Sequence, residues 1–267
     1  MSQLTLTESQ ISSYHNDGYL VVEHLLNEEE VSLLRDIARA DRELRQQVAT
    51  RNDGEGGAID LVVQNDLPVD TIYGAIVRSR RIVDPMQALL DDEVYHYHHK
   101  MILKEPLVGG AWAWHQDYGY WYNNGCLFPH LASCMIAVDQ ATVANGCLQV
   151  LKGSHLMGRI EHERVGDQTG ASLERVEVAR QRLELVHCEM EAGSAVFFHC
   201  NLLHRSDQNK SEKPRWAFIC CYNARSNDPY IESRHPRYSP LEIWPDNKVI
   251  EIGRAQARSS RSSPGSL

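Results

Sequence analysis

Two histidines and an aspartate are placed to do metal chemistry in this chain. Trp112-Ala113-Trp114-His115-Gln116-Asp117 reads as a strand, and residues two apart on a strand leave the same face. His115 and Asp117 therefore aim one imidazole and one carboxylate at a common centre. A second strand-like run, Ala195 to Cys200, is followed after a short polar turn by Leu202-Leu203-His204-Arg205-Ser206, which supplies a second imidazole from His204. Two histidines and a carboxylate cap one face of an octahedral ion and leave positions open, as in non-heme Fe(II) oxygenases. Zinc hydrolases use the same donor types, so the triad alone leaves the metal open. Arg215, in Lys213-Pro214-Arg215-Trp216-Ala217-Phe218, can grip a carboxylate with its planar fork, and Ser206 can donate a further hydrogen bond to it. The set points past a bare metal to iron plus a dicarboxylate co-substrate, 2-oxoglutarate. An isolated His-x-Asp is more often a hydrogen-bonded pair; His204, Ser206 and Arg215 downstream reverse that preference.

The elements that must position these residues form two zones. Up to about residue 92 the pattern is largely helical. Thr7 opens a helix to Asn16 with Gln10 completing a capping box, and Asn27 caps a second through Ile37. Ile72 to Val83 reads as a helix with Arg78, Arg80 and Arg81 on exposed faces, broken by Pro85. Gly54 to Gly57 reads as a flexible loop able to lie over a pocket mouth. From residue 93 to about 225, short aromatic and β-branched runs alternate with Gly, Asn and Pro, predicting strands near 94–104, 111–117, 133–139, 147–150, 184–188, 195–199 and 215–222. This is the signature of a mostly β domain, a jelly roll or barrel with flanking helices. Gly158 to Arg182 reads as an inserted loop and helix beside the site. One domain spans 1–253, and the Ser/Arg-rich segment 254–267 reads as a disordered tail.

Composition sets the frame. A chain of 267 residues with 42% hydrophobic content buries one full core. Its formal net charge of −9 argues against nucleic-acid partners and gives no general attraction to anionic lipid. Seven cysteines without a CxxC pair read as reduced core residues. With no leader and no long apolar run, the expectation is a cytoplasmic monomer or homodimer acting on small molecules.

His115-Gln116-Asp117, Asn145-Gly146-Cys147-Leu148-Gln149-Val150, Lys152-Gly153-Ser154-His155 and His204-x-Ser206 with Arg215 resemble, in order and spacing, the phytanoyl-CoA dioxygenase family of Fe(II)/2-oxoglutarate-dependent oxygenases. The resemblance covers about residues 4 to 225. It implies a double-stranded β-helix (cupin-like jelly roll) core, Fe(2+) on His115, Asp117 and His204, and Arg215 and Ser206 on the distal carboxylate of 2-oxoglutarate. It also implies O2 as oxidant, with succinate and CO2 as co-products. Alignment with the ectoine hydroxylases of the family puts His98 where they have a glutamine touching the co-substrate. Asp117 favours hydroxylation or desaturation, since halogenating relatives lack that carboxylate.

Substrate reading is coarser. Tyr118, Tyr120 and Trp121 follow a metal ligand directly and are candidates to hold an ammonium or stack on a flat molecule; Trp112 and Trp114 read as core and rim packing. The expected substrate is a small polar metabolite of amino acid, betaine or aminophosphonate type. Acyl-CoA or natural-product hydroxylation is an alternative, for which Arg78, Arg80 and Arg81, or Lys100 with Lys104, would form the basic patch. A metal-dependent hydrolase or isomerase on a jelly-roll barrel would give Arg215 and Ser206 no shared purpose, and a non-catalytic binding module would be favoured by loss of a metal ligand, of which none is lost.

Overall fold

A computed structural model describes residues 4–53, 56–165 and 168–262. The chain opens with α1 (Glu8–Asp17), β1 (Tyr19–Val22), α2 (Glu28–Ala40), α3 (Arg42–Gln46), the hairpin β2 (Ala49–Asn52) and β3 (Ala58–Gln64), then α4 (Ile72–Arg78) and α5 (Arg80–Leu90). There follow β4 (Val94–Lys104), β5 (Trp112–His115), α6 (Tyr118–Trp121), β6 (Leu131–Ala137), β7 (Leu148–Leu151), β8 (His162–Val165), β9 (Gln168–Ala171) and α7 (Leu173–Arg180). The chain closes with β10 (Leu185–Cys188), β11 (Ala195–His199), β12 (His204–Ser206), β13 (Arg215–Ala224) and α8 (Lys248–Ser262).

A large antiparallel sheet runs β1-β11-β6-β13-β4-β3-β2 and faces a smaller one, β10-β7-β12-β5. This is the expected jelly roll. Alternation along the large sheet divides two cores. Met101, Leu103, Trp216, Phe218 and Phe197 face the helices, whereas Ile102, Met135, Phe198, Ala217 and Ile219 face the small sheet. The same parity turns Lys100, Lys104 and Arg215 inward with Ile102 and Ala217.

One irregularity breaks that parity. Register shifts between Cys221 and Tyr222 of β13, whose β4 partners are His98 and His96, so Tyr97 is an extra residue opposite no partner. Tyr97 and His98 therefore both pack on Trp121 and His235 inside the barrel. His96 and His99 meet on the outer face at 3.0 Å.

The helical zone departs from expectation in instructive ways. Both capping boxes form, on Thr7 with Gln10 and on Asn27 with Glu30. The predicted helix 72–83 is broken at Ser79, whose hydroxyl donates to Asp246 (2.7 Å), while Pro85 lies within α5 and forgoes one ladder bond. Arg78 and Arg81 are buried rather than exposed. Arg81 forks onto Glu30 at 2.7 and 2.8 Å, and Arg78 donates to the carbonyls of Leu67 and Pro68 and stacks on Trp244. Segment 254–267 is not a disordered tail up to residue 262, because α8 covers it. Val249 is fully buried, Ile252 and Ala257 pack on the helical core, and Gln256 accepts the first backbone N–H of α4 (2.8 Å), a donor with no partner within that helix. Gly54, Glu55, Gly166, Asp167 and residues 263–267 lie outside the described residues.

Glu30 is wholly buried, so removing its partner strands a charge at a cost of about 3 to 5 kcal/mol. Arg81→Met is expected to lower the thermal midpoint by roughly 10 °C; a fall of under about 2 °C would show that Glu30 finds other compensation. A second expectation concerns acid. Gln64 accepts from His99 Nε2 (2.9 Å), which leaves His99 Nδ1 to accept from His96. Burial pushes both imidazoles down, His99 to about 4. An unfolded imidazole titrates near 6.5 and binds protons the folded one refuses, so this contribution is complete above about pH 6.5 and lost as pH falls toward 4. Unfolding free energy measured in denaturant from pH 7 to 5 is expected to decline with a shallower slope in His99→Gln; equal slopes would contradict the assignment.

Candidate active site

His115 ends β5 and His204 begins β12, and the two are register partners with ring centroids 4.1 Å apart. Each ring is oriented by its own strand. His115 Nδ1 lies 2.8 Å from the carbonyl of Ala113, and His204 Nδ1 lies 2.9 Å from that of Leu202. A carbonyl can only accept, so each Nδ1 carries the proton and each Nε2 offers a lone pair. Asp117 lies just past β5 at the start of α6, accepts from Ser133 Oγ (3.3 Å) and lies 3.6 Å from Lys100 Nζ. Ligand atoms of all three residues fall within 4.8 Å of one another.

Electrostatics prepare the same set. Burial, with the facing imidazole adding, pushes His115 well below its ordinary range, and burial lowers His204. Burial alone would raise Asp117, but Lys100 and the two imidazoles hold it below the usual carboxylate range. Neutral imidazoles and an ionised carboxylate are the forms that bind a divalent cation. Gln116, between the ligands, turns outward. It donates to the carbonyls of Gly158 and Asn201 and accepts from Ile160 N (2.8, 2.7 and 2.7 Å), while its own backbone N donates to His162 (2.9 Å). One side chain thus ties the end of β5 to the β8–β9 arm and to the turn before His204.

Arg215 opens β13 opposite Lys104, the last residue of β4. The guanidinium donates to the carbonyl of Gly146 (2.7 Å), and its Nε is buried with no partner. Lys104, 1% exposed, donates to Ser206 Oγ (2.8 Å) and to the carbonyl of Asp207. Burial drives both down, Arg215 to about 10 and Lys104 well below its ordinary value, with Arg215 repelling Lys104 further. Among the described residues no carboxylate forms an ion pair with either. The Asn145-Gly146 turn permits this approach, since Gly146 has φ +75° and a Cβ there would sit 2.2 Å from the carbonyl oxygen of Asp207.

A cavity of about 420 Å³ joins these groups, walled by residues including Leu61, His98, Lys100, Trp112, Tyr120, Trp121, Met135, Phe198 and Ile219. Tyr120 packs edge-on against His115 and donates to the carbonyl of Thr169. Tyr118 is not part of the wall. Its hydroxyl turns to the carbonyls of Cys126 and Leu127, as Tyr118 opens the short helix α6. Trp112 lines the cavity instead of only packing the rim, while Trp114 is core. His98 also lines it, but not beside Arg215. Six residues of extended strand, about 20 Å, separate His98 from Lys104, and it packs with Trp121 and His235. Arg51, Arg234, His235 and His162 were missed as wall residues, and they arrive from distant segments. Lys104 was missed as the partner of Ser206, for which inward parity with Lys100 on a long strand was the available signal.

The chain matches the phytanoyl-CoA dioxygenase (PhyH) family over residues 14–217. It is 31% identical over 254 residues to L-proline trans-4-hydroxylase of Streptomyces griseoviridis, covering 89% of this chain and 92% of that protein. It is 29% identical over 238 residues to ectoine dioxygenase of Bordetella parapertussis, covering 83% and 77%. Among solved structures, EctD from S. alaskensis with 2-oxoglutarate and 5-hydroxyectoine superposes with a TM-score of 0.75 at 22% identity, over 90% of this chain and 88% of that one. With the metal triad, the paired inward cations and the jelly roll in place, this match assigns the chain to the phytanoyl-CoA dioxygenase family.

Proposed function

We propose that this protein is a non-heme Fe(II)- and 2-oxoglutarate-dependent oxygenase that hydroxylates an unactivated C–H bond of a small polar metabolite. The observation that carries the reading is the pair Arg215 and Lys104, buried without an anion among the described residues. Such burial is unfavourable unless a carboxylate completes it. The triad alone would suit zinc as well as iron; a carboxylate cradle in the same cavity favours the co-substrate reading, and a hydrolase would leave it without purpose.

His115 Nε2, His204 Nε2 and Asp117, all on the cavity wall, would hold the metal. Bound ferrous iron with 2-oxoglutarate and O2 supplies oxidative decarboxylation to succinate and CO2, coupled to oxygen insertion into a C–H bond. Arg215 Nε and Lys104 hold the distal carboxylate, and Ser206, whose oxygen already accepts from Lys104, keeps its own proton to donate there. Ile102, Met135, Phe198 and Ile219 keep the reacting centre dry. Tyr120, Trp121 and His98 form the substrate wall on the far side. A cavity of about 420 Å³ is at the small end for ligand sites, a size that suits 2-oxoglutarate with a compact metabolite better than with an acyl-CoA. Relatives named as proline and ectoine oxygenases support the same substrate size. Seven buried, unpaired cysteines fit a reducing, cytoplasmic setting.

Steady-state succinate release with varied 2-oxoglutarate tests the cradle. Arg215→Ala and Lys104→Met are each expected to raise the KM for 2-oxoglutarate by about 30-fold or more, the effect of removing one partner of a buried charged contact. Unchanged KM values in both variants would remove the basis of the proposal.

A further inference from the structure

We propose, resting on the oxygenase reading above, that Lys100 is a positioning residue that confines Asp117 to one coordinating oxygen and so keeps a metal position free for O2. The three ligands are not held alike. Each imidazole is fixed by a carbonyl two residues back in its own chain. Asp117 stands at the start of α6 with helical backbone angles (φ −57°, ψ −37°), and its side chain makes no capping bond to that helix. Its orientation comes from the large sheet instead. Lys100 on β4 and Ser133 on β6 lie on either side of β13, opposite Ile219 and Cys221. Lys100 Nζ is 3.6 Å from Asp117 Oδ1, and Ser133 Oγ is 3.3 Å from Oδ2. Ser133 is itself held, because its single proton goes to Asp117 and Cys221 Sγ, 3.3 Å away, then donates to its oxygen.

Charge compensation alone does not account for the ammonium. A buried carboxylate needs a counter-ion, but a divalent cation held by Asp117 and two neutral imidazoles already supplies that charge. Beside such an ion Lys100 is an excess like charge, and a neutral donor of the Ser133 kind would orient the carboxylate without that repulsion. What the ammonium adds is a bias between the two oxygens. It repels a cation from Oδ1, while Oδ2 commits one lone pair to Ser133 and keeps the other for the metal. The distinction decides how many positions stay open. On an octahedral ion, two imidazoles and one carboxylate oxygen leave three positions. 2-Oxoglutarate as a chelate takes two of them, and O2 needs the third. A carboxylate bound through both oxygens would fill that third position.

The test uses the full chain, stripped of metal and kept anaerobic, as wild type, Lys100→Met and Lys100→Arg. Loss of a group that merely supports a metal ligand weakens metal binding by about 10- to 100-fold; the inference predicts the opposite sign. The Kd for Mn(II), read from the free-ion signal in electron paramagnetic resonance, is expected to fall about fivefold or more in Lys100→Met and to stay near the wild-type value in Lys100→Arg. With Fe(II) and 2-oxoglutarate added, nitric oxide probes the position open to O2. Its ferrous adduct, counted by the same resonance method, is expected in Lys100→Met at below about half the wild-type level at equal nitric oxide. Weaker or unchanged Mn(II) binding in Lys100→Met, or an undiminished nitric oxide adduct, would overturn the inference. Should Lys100→Met fail to fold, Lys100→Gln, which keeps a donor without the charge, is read against the same two outcomes. Failure of the oxygenase reading is seen separately, as absence of the visible Fe(II)–2-oxoglutarate chelate band in the wild-type protein.

Discussion

Burial of positive charge without a counter-ion is the constraint around which the active chamber is built. Lys104 and Arg215 are register partners on adjacent central strands, both turned inward by strand parity and both almost sealed from solvent. Neutral partners, the carbonyls of Gly146 and Asp207 and the Ser206 hydroxyl, satisfy part of their hydrogen-bonding capacity and none of their charge. On the proposed reading a bound dicarboxylate would complete these two groups, and its other end would point toward the triad. Preorganisation of this kind costs folding stability and is recovered on ligand binding.

Orientation of the metal ligands rests on equally local means. Each histidine is tied to a carbonyl two residues back in its own chain, so the β5–β12 pairing fixes ring positions and tautomers together. Gln116 extends that rigidity to the β8–β9 arm. On the opposite side, one bulge in β4 turns Tyr97 and His98 to the same face. The chamber thus has a charged end at Lys104 and an aromatic, imidazole-rich end at His98, with the metal ligands along its wall.

Much of this was legible in the sequence. His-x-Asp with a later His, Ser and Arg pointed to side chains that the fold brings to one cavity, because metal and carboxylate chemistry restricts residue types and strand parity restricts spacing. The strands β4, β11 and β13 followed from alternation, and both capping boxes from side-chain offsets. What failed was tertiary in origin. Arg81 looks like surface until Glu30, far away in sequence, is brought against it. The Ser/Arg-rich end of α8 reads as a tail, and nothing local announces that Val249 is buried in the helical core and that Gln256 accepts from the first N–H of α4. Tyr118 is turned off the cavity wall by α6, which winds up directly after Asp117. Arg51 and Arg234 come from a hairpin and a late irregular segment, and no local pattern announces that such segments border a cavity.

Anaerobic addition of Fe(II) and then 2-oxoglutarate to the purified apoprotein, followed by visible absorption, tests the central claim most directly. The account predicts a weak charge-transfer band that requires both additions, and a weaker one in Arg215→Ala at the same concentrations. Tight zinc binding at the triad with no such band at any 2-oxoglutarate concentration would contradict it.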